Sequence, residues 1–507
     1  MGTKYRIPLA GSYNTRVTET NALSSASGIV GLGIVGVMIV GASIQSTDKD
    51  QRFINCFSKS IVNPFTQTKT LYCIKRPGFA SLNTPEAGSI GTAILVWTGQ
   101  GSGTKVMSCF GGTNSTLYDG TTSKGAITGK ATQIAETFVS TTPTILIPST
   151  DSTAWYYDNA VTVAVATKIT DVDFPGNAGF TLAGGFAEMD GYSFIMDTLG
   201  NIWNSDVNSV TAWTATSFIN ANSYPDRGIG IIRQRDKLMA FGTESVQFYY
   251  NAGNPTGSPL SRIEAMTLRL GCCNADAITT IEDTVFWAGS SPQGGMHISM
   301  YGGQGQRKIS TPEIEAILIL AGSSNISMTS TELYGGSFVI VNAANVTFVY
   351  SLEENSWHEW TTASSKLWYK MAGVSSGSTQ VNYAISNTST SGKVFTINPS
   401  TLTYQDNGAA FTARIQLSKI GEGDRRQFWD EVNIIGDQNP TSSTLTVSYS
   451  SDDYQTYTVL GTVDLASSQR KITHCGSDYR RAWVLTHSDN APFRLEALSG
   501  VRTIGTV

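Results

Sequence analysis

Charge is the scarcest property of this 507-residue chain. Lys, Arg, Asp and Glu together make up 14% of it, against roughly 25% in an ordinary soluble domain. Long surface helices need charged side chains on their wet face, so the composition argues against them and excludes a coiled coil. Disorder is excluded as well, because aromatics reach 10% while charge stays low. A net charge of −5 and a pI near 5.5 rule out a nucleic-acid binder held by a basic face, though not an acidic surface that nucleic acid slides past. Six cysteines (Cys56, Cys73, Cys109, Cys272, Cys273, Cys475) and four histidines (His297, His358, His474, His487) show no zinc-type spacing. Free, partly buried thiols are expected. Met1 to Gly11 holds Lys4 and Arg6 with no apolar stretch behind them, so no secretion signal is expected.

What the chain does have is glycine, 50 residues of it, with abundant Ser, Thr and Asn. That mixture reads as a mostly β protein with a polar, uncharged surface. Length alone sets a prior of about three domains. Short apolar–aromatic runs recur, each with an aromatic near a polar turn: Tyr118, Tyr157, Trp203, Tyr249, Tyr301, Tyr350 and Phe395. Their spacing of roughly 40–50 residues suits one four-stranded propeller blade. The expectation is an all-β fold with a β-propeller of six or seven blades over residues 85–403. A sandwich with coincidental spacing is the alternative.

Residues 404–507 read differently. Phe411–Leu417, Phe428–Ile435, Leu445–Tyr449, Tyr457–Leu460, Arg481–Leu485 and Phe493–Ala497 alternate apolar and polar residues, as half-buried antiparallel strands do. A C-terminal β-sandwich is expected there. The turn at Tyr404–Gly408 marks its start, and residues 1–84 form an N-terminal region of strands.

Within that N-terminal region, Thr20 to Thr47 contains no charged residue. Its apolar residues are Ile29, Val30, Leu32, Ile34, Val35, Val37, Met38, Ile39 and Val40. The run is short for a transmembrane helix, its five glycines disfavour a helix, and its β-branched residues prefer extended structure. Three readings stand: a buried strand or hairpin, a projecting apolar loop that meets another subunit, a pore axis or a membrane, and an inserted anchor.

Catalytic patterns are missing. Gly302–Gly305 and Gly99–Gly103 lack the strand–helix setting of a nucleotide site, and no nucleophile elbow or HExxH motif occurs. Asp171 and Asp173 are not followed by further oxygen ligands and read as a turn. His358 and Glu359 are neighbours in Trp357-His-Glu-Trp360, and strand neighbours point to opposite faces, so they form no dyad. Ser450-Ser-Asp-Asp-Tyr-Gln-Thr-Tyr457 resembles the Asp-box hairpin of sialidases, without its usual glycine. No catalytic, cofactor or metal residue is assigned, and the expected cofactor set is empty.

A set of motifs, in order, resembles a phage family: the packaged-DNA stabilisation, or tail hub and nozzle, proteins of short-tailed phages. The motifs are Asp50-Gln-Arg-Phe-Ile-Asn55 with Arg76-Pro-Gly-Phe79, Asp171-Val-Asp-Phe-Pro175, Pro225-Asp226, and Phe241-Gly-Thr-Glu-Ser-Val-Gln-Phe-Tyr-Tyr-Asn-Ala-Gly253. Gly271-Cys272, Val285-Phe-Trp-Ala-Gly289 and Arg307-Lys-Ile-Ser-Thr311 followed by Ile314-Glu315 complete it. The resemblance implies a virion protein assembled in the bacterial host cytoplasm. It implies a homo-oligomeric ring, a hexamer, below the portal and adaptor rings, which retains double-stranded DNA and later releases it. It also implies docking of tail fibres, spikes or a needle, and no enzymatic step. The charge-free stretch is an apparent insertion relative to that family, with membrane contact as one role. The alternative function is a carbohydrate-binding or glycan-cleaving propeller.

Overall fold

Short β-rich runs bounded by Gly, Asn and Ser form strands almost throughout the chain. The computed structural model describes residues 3–9, 51–62, 69–99, 103–158, 165–221, 223–291, 295–362, 370–376, 379–387, 391–421 and 425–505. Two units divide it: residues 1–80, 346–366 and 401–507 form one, and residues 81–345 and 367–400 the other. The apolar stretch from Ile29 to Val40 lies outside the described residues.

The larger unit is a β-propeller. Its first sheet is built from Gly91–Trp97, Lys105–Phe110, Ser115–Asp119 and Thr122–Ile127, each antiparallel to the last. The pattern repeats over Ala135–Lys168, Leu182–Asn220, Gly228–Arg262 and Ile278–Lys308. Ile326–Leu333 and Gly336–Ala343 follow as an antiparallel pair. A last sheet combines Lys370–Ser376, Thr379–Ile385 and Val394–Ile397 with the early strand Ala80–Asn83. Seven sheets among the described residues thus follow one another around the unit.

Aromatics explain why the repeat is visible in the sequence. Tyr118, Tyr157, Trp203, Tyr249, Tyr301 and Phe395 each lie in the third strand of their sheet, and all are buried. From there they reach the neighbouring sheet. Tyr157 meets Trp97 of the first sheet edge-on at 6.1 Å, and Tyr301 meets Phe248 of the preceding sheet at 4.9 Å. Such pairs add about 0.5–1.5 kcal/mol beyond their buried area. The ring closes where Ile94, Phe110 and Tyr118 of the first sheet pack with Ile385 and Val394 of the last.

The α-helix among the described residues, Pro312–Ala321, follows the fifth sheet. Pro312 at its first position needs no hydrogen-bonded N–H there, and Gly322, with φ of 76°, ends it. Ile314, Leu318 and Ala321 form its buried stripe, while Leu320 is 86% exposed. No helix among the described residues is long and apolar enough to cross a membrane.

The smaller unit is a β-sandwich. One sheet runs Cys56–Val62, Lys69–Lys75, Arg494–Ile504, Gln427–Gly436 and Lys471–Thr473, with Thr3–Pro8 also paired to Arg494–Ile504. The other takes Val346–Ser351, Ser356–Glu359, Arg52–Ile54, Ala413–Gln416, Ala482–His487, Thr444–Ser450 and Thr458–Asp464 in that order. Between them lies a core that includes Phe53, Cys56, Cys73, Ile415, Trp429, Val447, Trp483 and Leu495. The alternating runs after residue 404 therefore supply most of the sandwich, completed by strands from the start of the chain and from residues 346–359.

Candidate functional site

The motif residues fall on tightly bonded corners. Arg76 is fully buried, and all five of its N–H donors have acceptors. Nε donates to Asn55 Oδ1 at 2.9 Å, Nη1 to Pro77 O and Asp406 Oδ1 at 3.0 Å each, and Nη2 to Thr361 O at 2.8 Å and Asp406 Oδ2 at 2.5 Å. The guanidinium also stacks 3.9 Å from the Phe411 ring centre. Asn55, whose φ of 55° is one Asn tolerates, accepts from Thr361 N and donates to Thr361 Oγ1 and Thr412 O. Gly78 lies against the chain at Gln405, where a Cβ would stand 2.1 Å from the carbonyl oxygen. The two opening motifs are thus one construction, which joins three separated stretches of the sandwich.

Beside it sits Lys75, also fully buried. Its Nζ lies 3.2 Å from His487 Nδ1 and donates to Asp489 O at 2.6 Å. Burial, and then the adjacent Arg76 charge, lower the Lys75 pKa to about 8. Burial, with Lys75 nearby, lowers that of His487 to about 4.

The propeller motifs behave alike. Asp226 Oδ2 accepts from Glu244 N, Ser245 N and Ser245 Oγ at 2.9–3.0 Å. It sits so close that a Cβ on Gly242 would lie 2.2 Å from it. Asp171 accepts from Asp173 N and Trp213 N, and Phe174 meets Trp213 edge-on at 5.1 Å. The Asp171 carboxylate therefore braces a turn, to which Asp173 contributes its backbone N–H. Ser310 Oγ donates to Glu315 Oε1, which also pairs with Lys308 at 2.6 Å, so the Arg307–Glu315 motif sets the start of the helix.

His358 is buried beside Ser356 Oγ at 2.9 Å, while Glu359 pairs with Arg52 at 2.6 Å. The two neighbours do face different partners, and burial holds the His358 pKa down at about 3. Asp452 accepts from Ser450 Oγ, Thr456 N and Thr456 Oγ1, a self-bonded hairpin. Sequence reasoning missed a second one: Asp151 accepts from Ser149 Oγ, Thr153 N and Thr153 Oγ1, and the repeated Ser-x-Asp spacing could have revealed it. All six cysteines are free, five of them buried. Among the described residues, no three His, Cys, Asp or Glu side chains are placed to share a metal.

The family described as "Bacteriophage P22 Gp10, beta-propeller" matches residues 91–395. That span runs from the first strand of the first sheet into the third strand of the last, more than half of the chain. The chain belongs to this family. It is accordingly a phage structural protein, which points to the virion. Curated proteins offer no significant match. Among solved structures, the chain is similar to Chaetomium thermophilum Raptor at 11% identity and a TM-score of 0.40, over 63% of this chain and 29% of that one. It is also similar to the computationally designed Ika8 protein (11% identity, TM-score 0.36, 63% of this chain and 99% of that one). The N-terminal domain of Nup159 is a third (7%, 0.37, 68% and 97%).

Proposed function

We propose that this chain is a ring-forming subunit of a phage tail hub or nozzle, below the portal and adaptor rings, which retains packaged DNA and forms its exit conduit. The family match over the propeller carries this reading. The motif residues support it, because Asn55, Arg76, Asp171, Asp226 and Glu315 are spent on bracing the scaffold. Charge supports it too: at −5 overall, the protein repels a polyanion and would not slow its passage by phosphate contacts. Its partners are then further copies of itself, the adaptor ring, and fibres, spikes or a needle.

Negative-stain images of the purified protein, alone and with a portal–adaptor complex, test the proposal. Rings that join the complex support it; failure to form or join any ring overturns it. In such a ring, the copies of Ile29–Val40 would converge as an apolar plug or a membrane-touching tip. Deleting Asn21–Thr47 should leave soluble, folded protein but give particles that leak DNA or fail to infect. Normal retention and infectivity would remove that role, and loss of soluble expression would assign the stretch to the core.

A further inference from the structure

One strand of the sandwich, Gln427–Gly436, is irregular on both of its edges at the same place. Against Arg494–Ile504 it carries a β-bulge: Trp429 opposes Arg502 and Glu431 opposes Val501, which leaves Asp430 as the extra residue. On the other edge its partner is broken. Lys471–Thr473 pairs with Glu431–Asn433 and Ser477–Asp478 with Gln427–Phe428, so His474, Cys475 and Gly476 arch between them. His474 takes a left-handed φ of 59° and Gly476 one of 81°, yet the arch is firmly held: His474 N donates to Asp430 O, Cys475 N to Trp429 O and Trp429 N to Gly476 O, at 2.8–3.0 Å.

Bulges and non-glycine residues in the left-handed region gather where a side chain must be aimed. Here they turn Phe428, Asp430 and His474 outward while Trp429 and Cys475 enter the core. The result is an open depression of about 420 Å³ lined by Phe428, Trp429, Asp430, His474, Gly476 and Ser477, a volume within the range of small-molecule sites. Phe428 is 46% exposed, a large apolar ring left in water beside a carboxylate, an imidazole and a hydroxyl. Asp430 is steadied by Thr503 Oγ1, His474 Nδ1 lies 3.2 Å from Thr473 Oγ1, and Ser477 Oγ accepts from Arg426 Nε at 3.0 Å.

We propose that this depression is a saccharide-binding site. A pyranose ring offers a C–H face that stacks on an aromatic ring and, at its rim, hydroxyls that donate to a carboxylate and exchange hydrogen bonds with imidazole and serine. Phe428, Asp430, His474 and Ser477 present that set on one face. Arg426 stands at the rim, bonded to Ser477, but the carboxylate within the lining is that of Asp430, which disfavours an anionic ligand, and a neutral sugar fits better. The proposal is for binding, with Asp430 as the acceptor carboxylate among the described lining residues. The proposal stands on the sandwich alone and is independent of ring assembly.

Saturation-transfer NMR on the full chain tests it, with methyl β-glucoside, methyl β-galactoside and N-acetylglucosamine as probes. Transfer to the ring protons of at least one probe is expected, with loss of the signal in Phe428→Ala. His474→Gly supplies a second variant: it keeps the left-handed backbone, removes the imidazole, and should weaken the signal while leaving the melting temperature unchanged or higher. No transfer to any probe, or transfer that survives both variants, overturns the assignment. Inorganic phosphate, followed by the width of its own phosphorus signal, should show no broadening that the two variants abolish; such broadening with no transfer to the sugars would make the site an anion site instead.

Discussion

Arg76 and Asp406, 330 positions apart, form a two-pronged pair inside the sandwich, with Nη1 on Oδ1 at 3.0 Å and Nη2 on Oδ2 at 2.5 Å. Removing one side of a buried pair strands the other charge, at a cost of about 3–5 kcal/mol. Arg76→Ala and Asp406→Ala should each lower the urea midpoint accordingly, and the double variant should cost less than their sum. Full additivity in that cycle would show that the pair is not energetically coupled.

Asp226 makes a sharper local test. Its carboxylate holds two backbone N–H groups and a serine hydroxyl of the Gly242–Ser245 turn. Asp226→Ala should cost about 1–3 kcal/mol. Gly242→Ala should also destabilise, because its methyl group would fall on that carboxylate, and combining the two should cost less than their sum. Calorimetry on the three variants checks this.

Acid sensitivity follows from two buried histidines. His358 and His487 have pKa values lowered to about 3 and about 4, against roughly 6.5 in an unfolded chain. Above 6.5 both are neutral in either state. As pH falls below 6.5 the unfolded chain takes up protons that the folded one refuses, so stability drops, by up to about 1.4 kcal/mol per pH unit for each histidine. The windows close near pH 3 and pH 4. Urea midpoints at pH 7, 6 and 5 should fall steadily, and less steeply in His487→Gln. An unchanged slope in that variant would assign the acid response to other groups.

Two apolar truncations in the propeller should differ widely. Ile385 is fully buried at the seam between the first and last sheets, and Ile385→Ala should cost about 2–5 kcal/mol. Leu320 is 86% exposed on the helix, and Leu320→Ala should stay within about 0.5 kcal/mol. Thermal melts of both compare them directly.

The fold was largely legible because its repeat is written in aromatics. Tyr118, Tyr157, Trp203, Tyr249, Tyr301 and Phe395 sit buried in the third strands of six of the seven sheets, while Tyr350, the remaining member of the series, lies in a strand of the sandwich unit. Alternation likewise exposed the strands after residue 404. Less legible was the composition of the sandwich, since nothing local in Arg52–Ile54 or Ser356–Glu359 states that they flank each other, with Ile54 opposite Glu359. The depression at Phe428 was hidden for a related reason: it depends on a bulge and on a break in a partner more than 40 residues away, and Phe428-Trp-Asp430 reads as plain alternation. Asp171 did reveal itself as a turn residue, because an aspartate two positions before its bonded N–H is a local pattern, whereas Asp226 did not, since its bonded N–H groups lie 18 and 19 positions on.

The last sheet of the propeller joins Ala80–Asn83 to strands that end at Ile397. During synthesis the early strand must therefore wait for some three hundred residues before its neighbours leave the ribosome. Until then the growing arc of sheets has two bare ends, with Ile94 and Phe110 waiting on one for Ile385 and Val394 on the other. Long-range pairing of this kind is slow and leaves apolar surface open to the wrong partner. The same clasp ties the two ends of the propeller stretch together, because the last sheet cannot peel away without breaking the pairing of Ala80–Asn83 with Val394–Ile397.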